Sequence, residues 1–135
     1  MSKILTTIKK IKLIQNYLIQ NKLDGFIQPR ADSYLGEYVP KYDARLEWIS
    51  GFTGSAGVIL ILRKQAILFV DSRYTIQAKN ETKNTGIKVI LSAQQSLEKY
   101  ILLNAKKFKE IGYDPWLHSY SYMKNILNLS IKYKV

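Results

Sequence analysis

The sequence predicts an α/β domain layered around a mixed β-sheet, and three observations carry that expectation. Strand-like and helix-like segments alternate along the 135 residues. Two apolar runs, 58–62 ("VILIL") and 66–70 ("AILFV"), are separated only by Arg63-Lys64-Gln65 and read as a β-hairpin, which supplies antiparallel pairing. Amphipathic periodicity on both sides of that hairpin supplies the helices that cover a sheet. A chain of this length accommodates one domain and one core, burying roughly two-thirds of its unfolded surface, so residues 1–135 are read as a single unit.

The elements follow in order. Over residues 2–22, Ile4, Ile8, Ile11, Ile14 and Leu18 recur at helical spacing, with Ser2 as the candidate N-cap and Asp24-Gly25 as the stop. "GFIQP" then predicts a short buried strand, which Pro29 ends or confines to a sheet edge. The segment 30–57 is rich in Pro, Gly, Tyr and charge without a clear period, and a connection of about 28 residues is usually functional. After the hairpin, "DSRYTIQAKNET" predicts a helix capped by Asp71 or Ser72, and "IKVIL" a strand. "SAQQSLEKYILLNAKKF" predicts a helix with Leu97, Ile101 and Ala105 on one face. "EIGYDP" is a further short strand, residues 119–130 a helix, and "SIKYKV" the start of another extended segment.

Composition excludes several function classes. The chain is 47% hydrophobic and 23% charged, and its longest apolar run is five residues, against the ~20 of a membrane span. Lysines every few residues interrupt the N-terminus where a signal peptide carries an unbroken apolar stretch. Zero cysteines exclude disulfides, thiolate metal sites and a cysteine nucleophile. A net charge of +11 invites nucleic-acid binding, but 17 of the 21 basic residues are Lys scattered over helix faces, where solvated Lys is the ordinary outcome.

Candidate chemistry concentrates in the centre. Gly51, Gly54 and Gly57 in "WISGFTGSAG" are spaced like a phosphate loop, yet such a loop follows a strand and opens a helix, whereas these glycines lead into the hairpin. The same order rules out Ser55 as a nucleophile-elbow serine. His118 is the only histidine and has no second ligand at helical or turn spacing. Three of the four arginines, Arg30, Arg45 and Arg73, lie in or beside this centre. Arg30 and Arg45 can pair with Asp32, Glu37 or Asp43, or bind a ligand carboxylate, since guanidinium recognises carboxylates bidentately. Arg73 falls in a first helical turn, where the macrodipole disfavours a cation. Two readings of it stand: Asp71 compensates it as cap and partner, or it grips a substrate carboxylate or carbonyl.

The strings "EYVPKYDARLEWISGFTGSAG", "VDSRYTIQA" and "IGYDP", at these separations, resemble the N-terminal domain of aminopeptidase P, the Xaa-Pro aminopeptidase of the creatinase and prolidase group, over roughly residues 24–125. The resemblance implies a six-stranded mixed sheet flanked by helices. It also implies a separate C-terminal pita-bread domain holding two divalent metals, manganese or zinc, on two Asp, one His and two Glu. A chain with one histidine lacks that constellation, so it is expected to bind no catalytic metal and to be a fragment, whether a separately expressed N-terminal domain or the product of a split or decayed gene.

By the same resemblance the intact protein is a cytoplasmic homo-oligomer removing the N-terminal residue from peptides with proline second. Arg73 is then the substrate-contacting residue, with Ser72 standing where the family often has Gly. Glu37, Tyr38, Arg45, Trp48, Asp71 and Tyr74 are candidate lining or structural residues. Arg73 is expected to be exposed and held by Asp71 or a nearby loop carboxylate, with Tyr74 and parts of the 34–48 loop forming a shallow surface beside it. The alternatives are a basic nucleic-acid-binding module and a stand-alone interaction scaffold.

Overall fold

The computed structural model describes residues 2–29, 45–54, 56–108 and 110–113. The chain runs α1 (Ser2–Gln20), β1 (Gly25–Pro29), α2 (Arg45–Ser50), β2 (Val58–Leu62), β3 (Ala66–Val70), a 3-10 turn (Ser72–Tyr74), α3 (Thr75–Glu81), β4 (Ile87–Leu91), α4 (Leu97–Leu103), a second 3-10 turn (Ala105–Lys107) and β5 (Ile111–Tyr113). The strands form one mixed sheet in the order β4-β3-β2-β1-β5. β1/β2 and β2/β3 pair antiparallel, while β3/β4 and β1/β5 pair parallel.

This sheet has five strands among the described residues, not the six that the resemblance implies. The expected extended segment 130–135 and helix 119–130 lie outside the described residues, as do Glu37, Tyr38 and most of the 30–57 segment.

The hairpin forms where the two apolar runs place it, closed by Leu62 N donating to Gln65 O at 2.7 Å. Its strands are apolar at every position because helices cover both faces. Ile59, Ile61, Leu68 and Val70 face a core shared with Ile11 and Leu18 of α1, Leu46 and Ile49 of α2, Phe52, and Ala78 of α3. Leu60, Leu62, Ile67 and Phe69 face the other core, with Leu97 and Ile101 of α4 and Phe108. The result is a three-layer α/β sandwich with α1, α2 and α3 on one side and α4 on the other.

Four expectations need correction. The first helix ends at Gln20, and its reversal falls on Lys22 at φ 58 rather than on Asp24-Gly25, with Leu23 N returning to Leu18 O at 2.8 Å. β1 ends at Pro29, as one alternative had it, but is interior rather than an edge strand; Pro29 is tolerated there because, among the described residues, β5 runs beside Gly25–Ile27 only. The helix expected over 92–108 is shorter, starting at Leu97 with Ser96 Oγ accepting from Lys99 N and ending before Asn104, so Ala105 lies outside it. Within the segment read as loop, Arg45–Ser50 forms a helix that buries Leu46, Ile49 and Ser50.

Candidate functional site

The site is built where β3 ends. Val70 is fully buried in the sheet, and the next residue, Asp71, leaves the strand in extended conformation and caps the following turn. Its Oδ1 accepts from Arg73 N at 2.9 Å, and its carbonyl accepts from Tyr74 N at 3.1 Å. A short polar residue that satisfies orphan turn amides is what a helix start requires.

The same carboxylate holds the Arg73 side chain. Arg73 Nη2 donates to Oδ2 at 2.8 Å, and Nε lies 3.3 Å from both carboxylate oxygens. Both groups remain wet, with 68% of the Arg73 side chain and 38% of the Asp71 side chain exposed. The Arg73 hydrogen bonds hold the Asp71 carboxyl below the usual carboxylate range, and Asp71 in turn raises the guanidinium above its ordinary value. Arg73 lies in the 3-10 turn ahead of α3 rather than in the first turn of the helix, and Asp71 compensates it as cap and partner, as one of the two sequence readings anticipates.

Tyr74 connects this turn to the glycine-rich loop. The Arg73 guanidinium carbon sits 5.1 Å from the centre of the Tyr74 ring, which meets Phe52 edge to face at 5.8 Å. Phe52 is buried, and the glycines are shaped around it. Gly51 takes the positive φ of 79° that reverses the chain after α2. A Cβ on Gly54 would lie 2.2 Å from Phe52 Cζ, and one on Gly57 3.0 Å from Cε2. The glycine spacing therefore accommodates an aromatic ring whose other side supports Tyr74.

A polar clamp fixes the same loop to α3. Thr53 donates through its amide and hydroxyl to the two Glu81 carboxylate oxygens at 3.0 and 2.7 Å, and Gln77 Nε2 bonds both Thr53 Oγ1 and Glu81 Oε1. Ser50 Oγ donates to Leu46 O at 2.6 Å and accepts from Phe52 N at 3.1 Å. Phe52, Thr53, Gln77 and Glu81 carry no sequence signal for this role, because their partners lie up to 28 residues away.

Of the residues singled out by sequence, the fold brings Asp71, Arg73 and Tyr74 together. Arg45 opens α2 and is exposed. Trp48, also exposed, directs its interactions to α1, where Lys10 Nζ lies 4.2 Å from the ring centre and donates to Trp48 O at 2.8 Å. Glu37, Tyr38, Arg30, Asp32, Asp43, Ser55 and His118 lie outside the described residues. No group of three His, Cys, Asp or Glu is placed to hold a metal ion, and no helix is long and apolar enough to cross a membrane, among the described residues.

Comparison with known proteins identifies this arrangement. The Creatinase/Prolidase N-terminal domain family matches residues 10–130. Xaa-Pro aminopeptidase 2 of Rattus norvegicus is 32% identical over 120 residues, 88% of this chain and 18% of its own length. Its Mus musculus counterpart is 36% identical over 89% of this chain and 18% of its own length. The chain thus spans about a fifth of the length of these relatives.

Among solved structures, the X-prolyl aminopeptidase of Caenorhabditis elegans, described as a cytosolic enzyme with a di-nuclear active site, superposes with a TM-score of 0.80. It shares 22% identity and covers 96% of this chain and 23% of its own, a likeness of fold. X-Pro aminopeptidase of Thermotoga maritima gives 0.68 at 28% identity, over 88% of this chain and 30% of its own. With the family model matched over residues 10–130 and the overall fold shared with solved aminopeptidase structures, the chain belongs to the creatinase/prolidase N-terminal domain family.

Proposed function

We propose that this chain serves a Xaa-Pro aminopeptidase as its non-catalytic N-terminal domain, presenting Arg73 to a peptide with proline second and contributing to subunit association. The observation that carries this reading is the state of the guanidinium. Asp71 engages Nε and Nη2, whereas Nη1 has no protein acceptor among the described residues. A guanidinium carries five donors in a fixed fork, so an orienting carboxylate on one edge leaves the other edge free for a peptide carbonyl or carboxylate. Tyr74, supported by Phe52, limits the directions in which the fork can swing.

In this reading the C-terminal catalytic domain supplies the two divalent metals, manganese or zinc, whose chemistry is to make a bound water nucleophilic near neutral pH. The chain's own contribution is to bind and orient. The assembled enzyme is placed in the cytoplasm, in keeping with the cytosolic description of the Caenorhabditis elegans relative.

The test is steady-state kinetics on the chain joined to its catalytic domain, comparing Arg73→Ala and Arg73→Lys with the parent on tripeptides of the Xaa-Pro-Yaa type. Arg73→Ala should lower kcat/KM mainly through KM, with metal content and subunit number unchanged. Unchanged kcat/KM in that variant would remove Arg73 from the substrate site. Dissociation of the assembled enzyme when this domain is deleted is the expected result for the subunit role, and an intact oligomer overturns it.

A further inference from the structure

The sheet stops at β4, and among the described residues no strand lies on its far side. Which backbone groups that edge offers follows from one hydrogen bond. Ser92 N donates to Val70 O at 2.8 Å, so residue 92 turns its amide toward β3. By the two-residue alternation of a strand, 90 and 88 do the same. Ile87, Val89 and Leu91 therefore direct their amides away from the sheet. The Leu91 carbonyl is taken by Gln94 N and Gln95 N at 2.9 and 3.0 Å, which leaves the rung around Val89 open.

This edge forms the floor of a cleft of about 610 Å³ between α3 and the segment leading into α4. Among the described residues three lysines line it, Lys79 from α3, Lys88 from β4 and Lys99 from α4, together with apolar Ile90 and Leu103, and no carboxylate does. All three lysines are exposed, and none has an ion-pair partner among the described residues. Leu103 leaves 66% of its surface in water.

We propose that this cleft is a docking site for an extended acidic peptide segment, which adds to β4 as a further strand and sets its carboxylates against Lys88 and Lys99, with Lys79 beside it. An unpaired strand edge supplies main-chain affinity and neighbouring pockets supply selectivity. The charge pattern chooses the occupant. A second copy pairing edge to edge would bring two sets of these lysines together, and like charges facing each other are destabilising. An acidic strand instead sets its carboxylates against Lys88 and Lys99 on the α4 side of the sheet and its alternate apolar side chains on the α3 side, where Val89 lies. The site involves neither Arg73 nor its partners and is independent of the proposal above.

The experiment uses the chain with a fluorescent ten-residue peptide alternating Glu with Val or Ile. Anisotropy should show saturable binding that weakens as ionic strength rises from about 0.01 M to about 0.15 M. Amide shifts in two-dimensional NMR should concentrate on Val89 and Leu91, since the Ile87 amide already donates to Thr85 Oγ1 at 3.3 Å. Lys88→Glu with Lys99→Glu should weaken the acidic peptide by about tenfold and confer binding of the same peptide with Lys for Glu. An N-methylated acidic peptide, unable to donate to the edge, should bind no better than the charge-swapped variant does.

Equal binding of the N-methylated peptide, amide shifts elsewhere, or indifference to the charge swap would each overturn the proposal. So would a single-stranded oligonucleotide that displaces the peptide at equal concentration, since that outcome assigns the lysines to phosphate.

Discussion

Replacing Gly54 with alanine tests whether the glycine-rich loop is shaped by the Phe52 ring. The new Cβ would stand 2.2, 2.8 and 2.9 Å from three ring carbons of Phe52. To restore an ordinary carbon contact of about 3.5 Å the ring must retreat by roughly 1 Å. It has nowhere to go, because Phe52 is 1% exposed and belongs to the core that contains Leu46 and Ile59, with Tyr74 packed against it.

Overpacking of this kind costs about 1–3 kcal/mol, and loss of glycine's unfolded-state freedom returns about 0.4–1 kcal/mol. The net expectation is a loss of about 1.3 kcal/mol. For a chain of this size that corresponds to a fall in Tm of roughly 5 °C. Urea unfolding followed by far-UV circular dichroism should show a lower midpoint with an unchanged slope. The decisive measurement is the double-mutant cycle. Phe52→Leu alone should cost under about 1.5 kcal/mol, and in the Gly54→Ala background it should cost at least 1 kcal/mol less, or even stabilise, by about the coupling expected of touching residues. A parent-like midpoint for Gly54→Ala, or additive effects in the cycle, would refute the claim that the ring dictates the glycine.

The Asp71 carboxyl should titrate below the ordinary carboxylate range, and Arg73→Gln should return it toward that range, as read by NMR of the carboxyl carbon. Because the folded-state value is the lower one, the pair's contribution to stability is present above the unfolded carboxylate pKa and is lost as pH falls through the folded value. An Asp71 titration indifferent to Arg73→Gln refutes the assignment. Arg73→Ala itself should barely move the unfolding midpoint at neutral pH, since the pair is exposed, and unfolding of that variant would make Arg73 structural. The purified chain with added manganese should cleave no Xaa-Pro dipeptide and retain no stoichiometric metal after dialysis, and tight manganese binding would contradict the non-catalytic reading. At physiological ionic strength it should hold DNA or RNA only weakly despite its charge of +11, and sub-micromolar binding there would favour the nucleic-acid alternative.

The sequence by itself determined the elements whose causes are local. Residues 58–70 pair as a hairpin because two apolar runs can be buried together only if the three polar residues between them turn. Asp71 caps because its carboxylate reaches an amide two residues ahead. The alternation of strands and helices was likewise sufficient for a layered sheet. The family motifs singled out Asp71, Arg73 and Tyr74 together, and they are adjacent in the chain.

Tertiary structure decided the rest. The six-residue α2 is too short to form alone and exists because Leu46 and Ile49 find the core, so the segment carries little helical signal of its own. Leu97–Leu103 stops early because Ser96 and Asn104 close its ends, although the apolar spacing continues to Ala105. The Thr53–Glu81 clamp spans 28 residues, and the lysine cleft takes one lysine from each of α3, β4 and α4. Such groupings depend on which elements the sheet order makes neighbours. That order is set by the burial of both sheet faces at once, a condition that no single stretch of the chain contains.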